Sequence, residues 1–346
     1  MLLFINSLAH FCTDGLCAAV LFSLAEPGAW MFMLYTTLAF STQCLAGLAA
    51  DRVDRQCLPA AASMLLVLTG WLLPLPPEAA VCLIGLGNSG FHVAGGVMTL
   101  RGSRGKARDL GLFVAPGAMG LALGMLWPRL GIAFAAGLLF CSLAVIPAEP
   151  ASPAYSPDAE KQKSSGIPLL IPILLAMAVA VRAVGGTAAA FPWKNGTPLI
   201  LLTVLCVAAG KAAGGYVCDH MGAVKAAAVS IVPAAVLTVF YSEWALPSLA
   251  GQFAMNISMP VTLWLLYKCM PDSPGFAFGL AASALWPGTL AGRLMQLAGP
   301  ALGTCVAASF LFGLWAILHA AHVIDEHERA NDPAPAFDPQ PPRIIP

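Results

Sequence analysis

A small set of polar side chains interrupts stretches that are otherwise apolar enough to lie in hydrocarbon. Asn6, His10 and Asp14 are spaced four residues apart in the first such stretch, so a helix lines them along one face. Asn88 with His92, and Gln252 with Asn256, repeat that spacing, while Arg182 stands alone in its run. Ionisable groups are costly in hydrocarbon, which makes each a candidate for binding. Asp14 and the imidazoles of His10 and His92 have the chemistry to carry protons near neutral pH. Arg182 must face water, a carboxylate or an anionic ligand. Two readings stand for Asp14: a proton- or substrate-binding acid, or a structural acid neutralised by Arg182 or a backbone contact. His10 and His92 equally suit hydrogen-bonded packing. Lys211 and Arg293 lie nearer helix ends, where long side chains snorkel to the interface.

Other chemistries find less support. His10, Cys12, Asp14 and Cys17 suggest a metal path, but positions 10 and 12 point to different helix faces, so no metal site is expected. His319, His322 and His327 read as a helix end. There is no H-E-x-x-H, no carboxylate pair and no P-loop. Catalytic residues, cofactors and ATP coupling are therefore not expected.

The elements that must hold these groups are membrane helices. The chain is 59% hydrophobic and 10% charged, with a mean hydropathy of +0.80, where soluble domains carry about 25% charged residues. About twenty apolar residues cross a bilayer. By that measure the expected spans are 2–24, 29–50, 58–76, 79–100, 110–127, 130–147, 167–190, 198–217, 224–241, 245–267, 275–296 and 298–322. The fold class is an all-α polytopic membrane protein of about twelve helices in two parallel pseudo-repeats. Residues 1–147 form one six-helix half and 167–322 the other; 148–166 read as a linker and 323–346 as a disordered tail. The first run lacks the basic leader of a signal peptide and is expected to remain as a helix.

Loops on one side carry Arg52, Arg55, Arg101, Arg104, Lys106, Arg108, Lys161, Lys163, Lys225 and Lys268; the opposite loops carry Arg129 and Lys194. That bias places both termini in the cytoplasm, in a multi-pass protein of the cytoplasmic membrane. The net charge of zero argues against nucleic acid as a partner. Membrane lipids and a small-molecule substrate are the expected partners, and a monomer the expected state. The ten cysteines show no paired spacing, and no disulfide is expected.

The halves echo each other. Gly47-Leu48-Ala49-Ala50-Asp51-Arg52-Val53-Asp54-Arg55 returns as a weaker copy at Gly215 to Lys225, with Gly215 and Asp219 each 168 residues after Gly47 and Asp51. The same offset relates Asp14 to Arg182 and Asn88 to Asn256. Mid-membrane polar residues fall on the first, fourth, seventh and tenth helices, the plan of a transporter with its site between repeats. Pro116, Gly117, Gly120 and Gly124 in the fifth helix read as packing and hinge devices.

Gly47-x-x-x-Asp51-Arg52-x-x-Arg55 resembles the signature loop of the major facilitator superfamily. The resemblance implies that Gly47, Asp51, Arg52 and Arg55, with Gly215 and Asp219, latch the cytoplasmic ends of the halves. Asp54 stands where that family usually has glycine. Gly85-Leu86-Gly87 with Phe91-His92, and the glycines of the fifth helix, resemble the fosmidomycin-resistance type of efflux protein; Val93-Ala94 stand where Pro-Glu is usual there. What this implies is a secondary transporter working by alternating access, with efflux of a small organic molecule. Proton coupling is expected from Asp14 with His92, which would change protonation as the cavity changes sides. Uptake of a metabolite such as an organic anion is the alternative, motivated by Arg182. A non-transporting scaffold or an intramembrane enzyme is the alternative of a different class.

Overall fold

A computed structural model describes residues 1–24, 28–149, 166–295 and 297–331, and among them helices and no strand. In chain order these are α1 (Leu2–Ser23), α2 (Ala29–Ala50), α3 (Cys57–Leu72), α4 (Pro77–Gly102), α5 (Arg108–Leu126), α6 (Gly131–Ala148) and α7 (Leu170–Ala188), then α8 (197–221) and α9 (223–240), and finally α10 (Ala245–Cys269), α11 (Pro274–Leu294) and α12 (Gly299–Asn331). Helical bonding runs without interruption from Thr197 to Phe240, but Gly222 takes φ 80° and ψ 162° and turns the chain between α8 and α9. An L side chain rarely adopts that conformation, so glycine is required there.

Each expected span reappears as a rod, with shifted ends. The departure in the tail is the larger one: α12 continues to Asn331, through residues expected to be disordered. Its charged end is helical because Glu328 reaches Lys268 (2.7 Å) and His322 pairs with Glu326 one turn on. The expected linker falls almost wholly, and the rest of the expected tail wholly, outside the described residues.

The large exposed side chains include Leu45, Leu58, Phe140, Leu143, Val229 and Leu311. An apolar surface on this scale is one that faces lipid rather than water. Inside, one core joins α1 and α3–α6 around Leu16, Met64, Phe91, Phe113 and Leu138. A second core holds Leu175, Ile231, Leu265 and Phe310 from the later helices. Glycines set the closest approaches: a Cβ at Gly120 or Gly124 of α5 would strike the carbonyl of Phe11 or Gly15 on α1.

One irregular turn joins the two groups. Thr36, Thr37, Ser41 and Thr42 of α2 all donate to carbonyls one turn back, around a π-turn at Thr37–Ser41. Such turns free backbone groups. Ser283 of α11 meets them, donating to the carbonyl of Phe40 (3.0 Å) and accepting from the N–H of Cys44 (2.9 Å).

Candidate functional site

The first, fourth and fifth helices bring the N-terminal polar residues to one point. Pro116 lacks an N–H, so α5 leaves carbonyls available near residue 112. Ser7 Oγ donates to the carbonyl of Leu112 (3.2 Å), and His10 Nδ1 donates to that of Phe113 (2.8 Å). On α4, His92 Nδ1 donates to the carbonyl of Asn88 (2.9 Å). A carbonyl oxygen only accepts, so both imidazoles carry hydrogen on Nδ1. Their Nε2 atoms face each other at 2.8 Å. Asp14 lies against both, Oδ2 at 3.3 Å from His10 Nε2 and Oδ1 at 3.6 Å from His92 Nε2. Asn88 fixes the carboxylate by donating to Oδ1 (2.9 Å).

Two imidazole lone pairs and a carboxylate thus point at a common centre. His10, His92 and Asn88 are buried, and Asp14 keeps 17% of its side chain exposed. That arrangement accommodates a cation between the nitrogens, and a single proton shared by the two rings fits 2.8 Å. One imidazolium beside one carboxylate leaves the cluster neutral, as burial favours. The three ligand atoms also lie within 4.8 Å of one another. Cys12 is not among them; it faces Gly137 of α6, while Cys17 contacts Asn88 from the far side at 3.8 Å. The sulfur ligands of the metal reading therefore do not join the imidazoles.

Gly117 is essential to this geometry. A Cβ there would collide with the rings and carboxylate of His10 and Asp14. Its sequence context announces only close packing, and nothing short of the fold says what it makes room for. Asn6 lies two turns from Asp14 on the same face, fully buried, with neither amide atom partnered among the described residues.

The pairing of Asp14 with Arg182, one of the readings of that acid, is not made among the described residues. Arg182 Nη1 donates instead to Ser258 Oγ (2.9 Å) and Thr262 Oγ1 (3.3 Å) of α10. Two imidazoles and an amide already surround Asp14, so no guanidinium is needed beside it. Lys211, expected to snorkel, lies within electrostatic range of both Asp14 and Arg182. Its helix continues to residue 221, which places Lys211 far from the end. On α10, Asn256 donates to the carbonyl of Gln252 within its own helix (2.8 Å) and Gln252 is buried, so these two do not join the cluster.

Nearer the basic loops the halves meet. Asp51, at the end of α2, accepts from the N–H groups of Gly275 (2.6 Å) and Phe276 (2.8 Å) at the start of α11. Asp219 of α8 accepts from those of Ala107 (2.7 Å) and Arg108 (3.1 Å) at the start of α5. Each carboxylate satisfies helix N–H groups that otherwise lack partners and meets the positive end of the helix dipole. Gly47 and Gly215 allow it, since a Cβ at either would enter the backbone of the facing helix. The two arginines depart from the expected latch: Arg55 donates to the carbonyl of Ile146 (3.2 Å) in its own half, and Arg52 is exposed. Between latch and cluster, Phe113 and Phe278 touch across the halves as tilted rings, their centres 6.0 Å apart.

No protein-family model matches this sequence, and none of the curated proteins does. Solved structures share its fold. FucP in the outward conformation aligns with a TM-score of 0.64 at 14% identity, over 92% of this chain and 98% of that one. The human organic anion transporter MFSD10 aligns with a TM-score of 0.61 at 14% identity, over 94% and 97%. A bacterial homologue of the iron transporter ferroportin, outward-facing, gives 0.59 at 12% identity, over 95% and 99%. The likeness does not single out the fosmidomycin-resistance type. The chain has the fold of the major facilitator superfamily transporters.

Proposed function

We propose that this protein is a secondary transporter that exports a small organic molecule across the cytoplasmic membrane by alternating access, driven by protons. The observation that carries the coupling is the convergence of His10 Nε2, His92 Nε2 and the Asp14 carboxylate on one point. With one proton the cluster is neutral and both nitrogens are satisfied. Without it, two lone pairs oppose each other beside a carboxylate, so α1 and α4 must shift or a proton must return. Protonation and helix position are thereby tied together, as coupling demands.

The rest of the molecule supports the reading. Asp51 and Asp219 join the halves on the side that the basic loops assign to the cytoplasm, with Phe113 and Phe278 in tilted contact beneath the site. A site sealed on that side is one facing outward. Similarly folded FucP is a fucose:proton symporter. Export follows from the likeness of α4 and α5 to fosmidomycin-resistance proteins.

A growth-inhibition and metabolite-uptake screen on expressing cells identifies the substrate, and proteoliposomes then test the coupling. The wild type is expected to move protons with substrate, while Asp14→Asn exchanges substrate with no dependence on the pH gradient. Unchanged pH dependence in Asp14→Asn removes Asp14 from the coupling. A substrate that accumulates inside the cells overturns export in favour of uptake.

A further inference from the structure

Arg182 of α7 carries a positive charge that no described carboxylate pairs with. Arg182 is held by hydroxyls alone, and the protons of both hydroxyls are already committed. Ser258 donates to the carbonyl of Met255 (2.7 Å) and Thr262 to that of Ser258 (2.8 Å), so each turns a lone pair toward Arg182. Ser258 and Thr262 are themselves buried, at 0% and 1% exposure. Hydroxyl dipoles aim a guanidinium without cancelling its charge. Both bonds use Nη1, which leaves Nε and Nη2 without a hydrogen bond to any described residue. Those two nitrogens form the edge that grips a carboxylate with two parallel bonds.

Lys211 of α8 is a second cation, half-buried like Arg182, and it feels Asp14 first and Arg182 after it. Asp14 itself lies against His10, His92 and Asn88, with no ion pair to Arg182 among the described residues. The guanidinium therefore keeps its charge and an open edge, which a carboxylate ligand fits.

We infer that Arg182 and Lys211 form the recognition site for a carboxylate group of the transported molecule, with the guanidinium taking it in bidentate fashion and the ammonium balancing its charge. The inference rests on the transport reading but is independent of where the proton binds. It identifies the substrate class as organic anions, and it makes the C-terminal half the specificity wall.

The test uses the full chain purified in detergent and follows its melting temperature with benzoate, succinate and citrate, with benzamide as the uncharged counterpart and with inorganic phosphate. At least one carboxylate is expected to stabilise the wild type, and benzamide is not. Arg182→Gln weakens that binding about tenfold to a hundredfold, the scale of a hydrogen bond to a charged group. Lys211→Gln weakens it less, and Arg182→Lys restores part of it. Ser258→Ala, which keeps the charge but loosens its aim, gives a milder loss, and the unliganded melting temperature of each variant reports its folding. Asp14→Asn keeps the carboxylate shift while losing gradient dependence, so a failure of the coupling reading is distinguishable from a failure of this one. The inference is overturned if no carboxylate stabilises the wild type. It is overturned equally if benzamide or phosphate matches the carboxylates, or if Arg182→Gln binds as well as the wild type.

Discussion

The two halves make the same bonds at the latch and are unlike at the midplane. At the latch, Asp51 binds the N–H groups of Gly275 and Phe276, and the residues 168 positions away repeat the bond: Asp219 to Ala107 and Arg108. The close contacts obey the same offset, since Gly279 abuts the carbonyl of Gln43 and Gly111 that of Lys211. Toward the membrane centre the correspondence of residue type ends. The counterpart of His10 is Ala178, that of Asp14 is Arg182, and that of His92 is Pro260. Gln43, whose side chain bonds within its own helix, corresponds to Lys211. A rocking motion needs equivalent pivots in both halves, whereas a coupled site needs different chemistry on its two walls. The repeated contacts suit the first, and the differing residues at a few positions suit the second.

The largest break in this comparison comes from exchanging chemistry across the pair. Asp14→Asn is expected to abolish gradient-driven transport while sparing carboxylate binding, and Arg182→Gln to abolish carboxylate binding and transport together. Proton flux and ligand-induced melting shifts, measured on both variants, decide it; identical phenotypes would merge the two walls into one function.

The next effect separates Gly117 from its counterpart Leu285. Gly117→Ala forces His10 and Asp14 apart, an overpacking cost of about 1–3 kcal/mol, and coupled flux should fall with it. Leu285→Ala has no cluster to disturb and should leave flux near the wild-type rate. Equal losses in flux assays would show that Gly117 serves packing alone.

The latch gives a smaller and symmetric effect. Asp51→Asn and Asp219→Asn each remove a charge from a helix N-terminus, worth about 1–2 kcal/mol. Each should shift the equilibrium between closed and open cytoplasmic ends by about 5- to 30-fold. Distance measurements between spin labels placed on the two halves check this. A large shift from one variant and none from the other would deny the equivalence.

The smallest concerns Asn6. Replacing its unpartnered amide by Leu removes a buried polar group and should raise the stability of the fold by about 1 kcal/mol. A lowered melting temperature would instead reveal a hydrated amide serving the cluster.

Much of the frame is legible in the sequence for simple reasons. Apolar runs of bilayer length announce the helices, and charges between them announce the latch because little else in the chain is charged. The i, i+4 spacings locate Asp14, His10, Asn88 and His92 on the faces they share in the structure. What remains hidden depends on partners distant in sequence. His10 acquires its orientation from a carbonyl beside Pro116, more than a hundred residues away. Lys211 looks peripheral because an apolar count ends its helix at residue 217, while the rod continues to 221. Asp14 and Arg182 look like partners because they are opposite in charge and equivalent in position, yet His10, His92 and Asn88 hold the acid while hydroxyls of α10 aim the guanidinium elsewhere.

Nitrogen-15 NMR of histidine-labelled protein tests the proton cluster most directly, since it needs no substrate. Both Nδ1 atoms of His10 and His92 are expected to be protonated, with one proton shared between the two Nε2 atoms. A ring found with Nε2 protonated and Nδ1 bare would contradict the shared proton and, with it, the coupling assigned to the N-terminal half.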